Sequence, residues 1–104
     1  MDNSSDSGPK PLAREGDAWK PLINQAVVVD TDSHFVYLGT LTRVEDHFVV
    51  LRDVDAHDRR EGPSTKEQYI MDAKRFGIKA NRREVSVRKS VIVSVSRLED
   101  VILY

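Results

Sequence analysis

Residues 34–54 read HFVYLGTLTRVEDHFVVLRDV, and this stretch decides the fold class of the chain. Two alternating faces run from His34 to Val44, Glu45-Asp46 makes a turn, and the apolar pattern resumes from Phe48 to Val54. A period of two residues is typical of β-strands that bury at least one face. Gly39 stands in the middle of the first strand, where a glycine indicates a bend or a close approach of another backbone segment.

Further β-branched runs flank this pair of strands. Ala26–Val29 precedes it and predicts a first strand. Val85 and Val87 alternate with polar residues. In a second run, Val91, Val93 and Val95 alternate with Ile92, Ser94 and Ser96, and Arg88-Lys89-Ser90 separates the two runs. Five short strands with short connections predict a mainly β fold, a small, strongly bent antiparallel barrel.

Two helices are expected beside the strands. Trp19, Leu22 and Ile23 have helical spacing and predict one or two turns of an N-terminal helix, in which Pro21 lies early enough to be tolerated. The polar stretch 55–63 predicts a loop after the third strand.

A second helix is expected at about residues 64–76, inserted between the third and fourth strands. Ser64 and Glu67 have the spacing of a capping box. An apolar stripe for packing on the chain's own barrel follows, and its members are Tyr69, Ile70, Ala73 and Phe76. Gly77 is placed to end the helix in a left-handed conformation.

Composition sets the domain organisation and excludes several classes of protein. The chain has 104 residues, of which 39% are hydrophobic, so it can bury one modest core. Residues 1–16 are rich in serine, glycine and proline and predict a flexible N-terminal tail, which leaves 17–104 as the barrel domain. Cysteine is absent, which excludes disulfides and thiolate metal sites. No apolar run approaches the ~20 residues that span a bilayer; we expect a cytoplasmic protein without a membrane partner.

Charge is distributed unevenly along the chain. The net charge is −1, but residues 74–97 hold eight basic side chains against Glu84 alone. A segment of this kind either attracts an anionic partner or pairs with the acidic remainder of the chain.

Two local patterns carry a resemblance to a known family. The first runs Gly39-x-Leu41-x-x-x-Glu45-Asp46-His47-Phe48, and the second runs Val85-x-Val87-Arg88-Lys89-Ser90-Val91-Ile92. Together they resemble the two halves of the Sm motif of the Sm-like (LSm) family. The resemblance implies a five-stranded Sm-like (SH3-like) barrel. It also implies homo-oligomeric rings, which pair the fourth strand of one subunit with the fifth strand of the next, and binding of single-stranded RNA at the inner rim.

The resemblance assigns roles to individual residues. His47 matches the ring that stacks on a base, and Arg88 matches the arginine that stacks on its other face. Two positions depart from the motif, because Val49 stands where the family has asparagine and Lys89 where it has glycine. Val49 cannot hydrogen-bond a base edge, whereas Lys89 blocks close approach but adds charge. The expected RNA-binding residues are therefore His47, Arg88 and Lys89, with help from Arg82 and Arg83.

Catalysis and metal binding have less support in the sequence than RNA binding. Asp53, Asp55, His57 and Asp58 look like hard metal ligands, and the first three share a face if the strand continues. Acidic loops are, however, mostly solvated. Nothing in the sequence pairs a nucleophile with a base, so we expect no enzyme, cofactor or metal. Two hypotheses remain. One is a ring-forming protein that binds RNA weakly or without sequence choice. The other is an Sm-fold scaffold for protein partners that has lost RNA binding.

Overall fold

The computed structural model describes residues 15–62 and 65–103, and within them five strands form one antiparallel sheet. The strand order is β4-β3-β2-β1-β5. Their bounds are β1 Ala26–Thr31, β2 Phe35–Val44, β3 Phe48–Asp58, β4 Arg82–Arg88 and β5 Ile92–Arg97. The helices are α1 Glu15–Trp19 and α2 Lys66–Phe76, with 3₁₀ turns at Lys20–Leu22, Lys89–Val91 and Leu98–Asp100. Residues 1–14 of the predicted tail, which was expected to span 1–16, lie outside the described residues. Helix α1 begins at Glu15, within the predicted tail.

The mainly β prediction with an inserted helix is confirmed, and the sheet is bent rather than closed. Among the described residues, β4 and β5 do not pair with each other. Val87 of β4 and Val95 of β5 nevertheless pack against the same buried cluster, so the sheet must curl to bring its two ends over one core. The fully buried members of that inner core are Val27, Val29, Leu41, Val49, Leu51 and Val54.

Irregular pairing between β2 and β3 supplies the bend. The register shifts once beside Gly39 and again beside Thr42, so each strand carries one extra residue. Extra residues of this kind kink a strand and increase its twist. Asp53 takes the strain of the first shift, since its φ is +51°. Gly39 makes the predicted close approach, because a Cβ there would lie 3.0 Å from the carbonyl oxygen of Arg52.

The prediction of a loop over residues 55–63 is wrong at its start. Residues Asp55 to Asp58 belong to β3 and pair with β2, in a register that places Asp58 opposite Phe35. Polar side chains predicted a loop here. This end of β3 is only half-buried, however, so it forms a strand without apolar alternation.

Helix α2 packs on the outer face of the sheet, as predicted. Ile70 and Ala73 are buried against Val28, Val36 and Leu38 of β1 and β2. The predicted stripe is wrong in one member, because Phe76 is 74% exposed.

The ends of α2 also differ partly from expectation. Thr65 is the N-terminal cap, and its hydroxyl accepts a hydrogen bond from the backbone N–H of Gln68 at 3.1 Å. The predicted cap Ser64 lies outside the described residues, and the helix begins one residue later than that cap requires. Gly77 ends the helix with a φ of +93°, as predicted.

We predict that Gly39→Ala lowers the free energy of unfolding by about 1–3 kcal/mol, because the added methyl group overpacks the crossing of β2 and β3. Gly39→Val should cost more. Urea unfolding followed by circular dichroism measures both values. A Gly39→Val protein as stable as the unchanged chain would contradict the close contact.

We predict that Ile70→Ala lowers the free energy of unfolding by roughly 2–4 kcal/mol, since it leaves a cavity between α2 and the sheet. Phe76 lies ~9 Å further along the same helix, at a rise of ~1.5 Å per residue. Phe76→Ala should change stability by less than ~0.5 kcal/mol because it removes an exposed side chain. Equal losses for the two variants would show that α2 does not pack as described.

Candidate nucleic-acid interface

Two turns of the chain meet at one end of β3 and β4. The β2–β3 turn is closed by a hydrogen bond from the N–H of Glu45 to the carbonyl of Phe48 at 2.8 Å. Phe48 pairs with Arg88 across β3 and β4. The N–H of Lys89 then donates to the carbonyl of His47 at 2.8 Å. The two sequence patterns, some forty residues apart in the chain, are therefore joined by backbone hydrogen bonds.

A cavity of about 320 Å³ opens where these turns meet. Its lining, which we call the loop cavity, consists of Asp46, His47, Arg88, Lys89 and Ser90. His47 and Arg88 are exposed, whereas Lys89 is half-buried. The structure therefore brings together three of the five predicted RNA-binding residues in an open, mainly cationic recess.

Phe48 holds Arg88 in place. The guanidinium carbon of Arg88 lies 5.0 Å from the centre of the Phe48 ring, within the range of a cation–π contact. Such a contact limits the freedom of a long side chain, and Arg88 stays exposed and accessible to a ligand. Sequence reasoning gave Phe48 no role, although the pairing of the two motif strands would have placed it opposite Arg88.

The two departures from the motif have different structural consequences. Val49 is fully buried in the inner core, so its side chain contributes nothing to the loop cavity. Lys89 lines the loop cavity and also two neighbouring cavities of about 440 and 400 Å³, both of which Trp19 lines. The bulky, charged side chain of Lys89 thus occupies the position where the motif has a glycine.

Arg82 and Arg83 lie away from the loop cavity. They begin β4, whereas Arg88 ends it, and six residues of strand span ~20 Å. Arg82 lies opposite Val54 of β3, whereas Arg88 lies opposite Phe48 at the other end of the pairing. The structure does not bring these two arginines together with His47.

The four candidate metal ligands on β3 are dispersed. Alternation is broken by the register shift at Asp53, whose carboxylate lies 3.2 Å from Arg52. Asp55 accepts a hydrogen bond from Asn81, and the His57 ring stacks on that of Tyr69 with centroids 3.7 Å apart. Hydrogen bonds from Arg60 hold the pKa of Asp58 well below its usual range. Within 15–62 and 65–103, no group of three or more such ligands is close enough to hold a metal ion.

Tyr69 of α2 is partly buried where the helix meets His57 of β3. Burial, together with a hydrogen bond to Asp55, raises the pKa of the Tyr69 hydroxyl above its ordinary value. The tyrosine therefore stays protonated at any physiological pH.

Over the part of the chain that the structure describes, no helix is both long and apolar enough to cross a membrane.

The chain is similar to a known protein in its structure, although its sequence matches no known family. No family model and no curated protein matches the sequence. Among solved structures, the fold is similar to that of a Pyrococcus abyssii Sm protein determined in complex with a uridine heptamer, with a TM-score of 0.53. The sequences are 18% identical, and the match covers 82% of this chain and 99% of the Sm protein. The predicted resemblance is confirmed at the level of structure: the chain has an Sm-like fold.

Proposed function

We propose that this chain is a non-catalytic Sm-like protein that binds single-stranded RNA in the loop cavity, weakly or without sequence choice. The observation that carries the proposal is the backbone pairing that places His47 beside Arg88, with Arg88 supported by Phe48. An imidazole and a guanidinium plane are both groups on which RNA bases stack. The fold neighbour was solved with a uridine heptamer, which supports RNA as the ligand class.

Affinity at such a site comes from stacking and charge. Each stacked base contributes ~1–3 kcal/mol, and the contribution depends little on base identity because every base has a π-face. Arg88 and Lys89 add attraction for the phosphate backbone, which weakens as salt rises. The residue that would read the base edge is replaced by Val49, which is buried in the core. We therefore expect little discrimination between bases.

Assembly into rings is the second part of the proposal. β4 and β5 are the two ends of the sheet, and unpaired edge strands favour association with another chain. Helix α2 packs on the outer face of β1 and β2, so it leaves both edges open. Beside the β5 edge, Val93 is 67% exposed and lines an apolar groove with Trp19 and Leu22. Pairing of β4 with β5 of the next copy is a head-to-tail contact, which closes into a ring when the rotation permits.

The alternative function is a protein-interaction scaffold with the same fold. Val49 and Lys89 favour it, since one removes the base-reading amide and the other fills the position of the motif glycine. Purification of the chain from its native cells distinguishes the two functions. Co-purifying RNA without a stable protein partner supports the first, and a stoichiometric protein complex free of RNA supports the second.

We predict that Arg88→Ala weakens binding of a fluorescent uridine-rich single strand by roughly tenfold, the lower part of the range for one lost stacking group. His47→Ala should have a similar effect. Anisotropy titrations at two salt concentrations measure both. Arg60→Ala is the matched control, because it removes an exposed arginine that pairs with Asp58 outside the loop cavity. Equal affinities for Arg88→Ala and Arg60→Ala would refute the assigned site.

We predict that the chain is oligomeric and that Val93→Asp lowers its mass in solution, because a charge at the β5 edge opposes pairing with the next copy. Light scattering after size-exclusion chromatography measures the mass. Ile102→Asp serves as the control, since Ile102 is 79% exposed and lies beyond β5. A monomeric unchanged chain at micromolar concentration would exclude the ring.

A further inference from the structure

Another cavity lies at the C-terminal end of α2, away from the loop cavity. It has a volume of about 360 Å³ and is lined by Tyr69, Ala73, Phe76, Gly77 and Lys79, together with Asp55 and Asp72. Phe76, with 74% of its surface exposed, forms one wall. An exposed aromatic ring and a lysine thus border the same recess.

Positive charge is concentrated in the chain segment that contributes Phe76, Gly77 and Lys79 to this recess. Residues 74–83 contain five basic side chains and no acidic one. Arg75, Lys79 and Arg82 are exposed, and no carboxylate of the described residues lies within 4.0 Å of their cationic groups. Arg83 and Arg88 are likewise exposed without a carboxylate partner among the described residues, but several other exposed arginines differ.

Three such arginines have carboxylate partners. Arg43 pairs with Glu45, Arg52 with Asp53 and Arg60 with Asp58, at distances of 2.7–3.2 Å. Arg75, Lys79 and Arg82 thus differ from these three arginines, and their charge is available to an anionic partner.

The segment that carries these cations is held rigidly on β3. The side chain of Asn81 accepts a hydrogen bond from the N–H of Ala56 at 3.0 Å and donates one to its carbonyl at 3.1 Å. The N–H of Asn81 also donates to the carbonyl of Val54 at 2.8 Å. A fixed segment loses less conformational freedom when it binds a ligand than a mobile one does.

The acidic residues of the recess already accept hydrogen bonds. Asp55 accepts from Asn81 at 3.2 Å, and Asp72 accepts from Gln68 at 2.9 Å. Their charge would repel phosphate groups from the floor of the recess. Phosphates would therefore lie towards Arg75, Lys79 and Arg82, with a base against Phe76.

We infer that Arg75, Phe76, Lys79 and Arg82, which we call the helix-end patch, form a second contact surface for single-stranded nucleic acid. Aromatic rings bordered by cations are the elements that bind such strands without sequence choice. Arg82 and Arg88 begin and end β4, ~20 Å apart, so one nucleic-acid strand can reach both the loop cavity and the helix-end patch. The inference rests on the proposed RNA-binding function and extends it to residues on the inserted helix.

The test is an anisotropy titration of a single strand of ~15 nucleotides, within the range of sites covered by one small domain. Phe76→Leu should weaken binding by about tenfold, because leucine keeps an apolar contact but removes the stacking ring. Phe76→Trp should restore it. Full affinity in Phe76→Leu would overturn stacking on Phe76 and leave an apolar protein contact as the role of this residue.

Charge is tested separately with Arg82→Gln. Loss of one phosphate contact should lower the slope of log affinity against log salt by about 0.7. Arg60→Gln changes the net charge equally but removes a paired arginine, so its slope should match that of the unchanged chain. Equal slopes for the two variants would overturn the phosphate contact at the helix-end patch. Displacement of the nucleic-acid strand by polyglutamate of equal charge would also overturn this contact, since it would show that the patch binds any polyanion.

The two proposals can fail independently. If Arg88→Ala weakens binding while Phe76→Leu and Arg82→Gln do not, the loop cavity stands and the helix-end patch is refuted. If the reverse holds, the patch stands and the loop cavity is refuted. Absence of any binding by the unchanged chain refutes both.

Discussion

The close contact between Gly39 of β2 and the backbone of β3 is the constraint on which the rest of the structure depends. A Cβ at position 39 would lie 3.0 Å from the carbonyl oxygen of Arg52 and 3.1 Å from a methyl group of Val54. Only a glycine leaves room for this approach, and the register shifts by one residue beside it. The resulting bend lets valines from both ends of the sheet share one core. A flat sheet would leave each end with an exposed apolar face.

Because of this bend, the two faces of the sheet pack against different parts of the chain. The inner face holds the core, and the outer face of β1 and β2 receives α2. The helix is tied down at both ends: Lys66 forms a 2.8 Å ion pair with Asp30, and the ammonium group of Lys74 donates to the carbonyls of Glu99 and Val101. Because α2 occupies a face rather than an edge, β4 and β5 remain the edge strands of the sheet over the described residues. Its last turn, with Phe76, extends beyond the surface that it covers.

Prediction from the sequence succeeded where the pattern is local. The strand periodicity around Gly39, the apolar residues Ile70 and Ala73 and the helix stop at Gly77 all follow from neighbouring residues and were found as expected. It failed at residues 55–58, which look like a loop but extend β3 because β2 is long enough to pair with them. It failed again at Phe76, since helical spacing places this residue on the apolar stripe but cannot show where the covering sheet ends.

The candidate site divides in the same way. The sequence by itself determined which residue types are present at the motif positions, including His47, Arg88 and the substitution by Val49, because chemical identity is local. Only the tertiary structure decided which of them meet. Backbone pairing across β3 and β4 joins His47 to Lys89 and sets Arg88 on Phe48, while the length of β4 separates Arg82 from the loop cavity and leaves it near the end of α2. Side-chain neighbours of this kind depend on strand register, which long-range packing fixes.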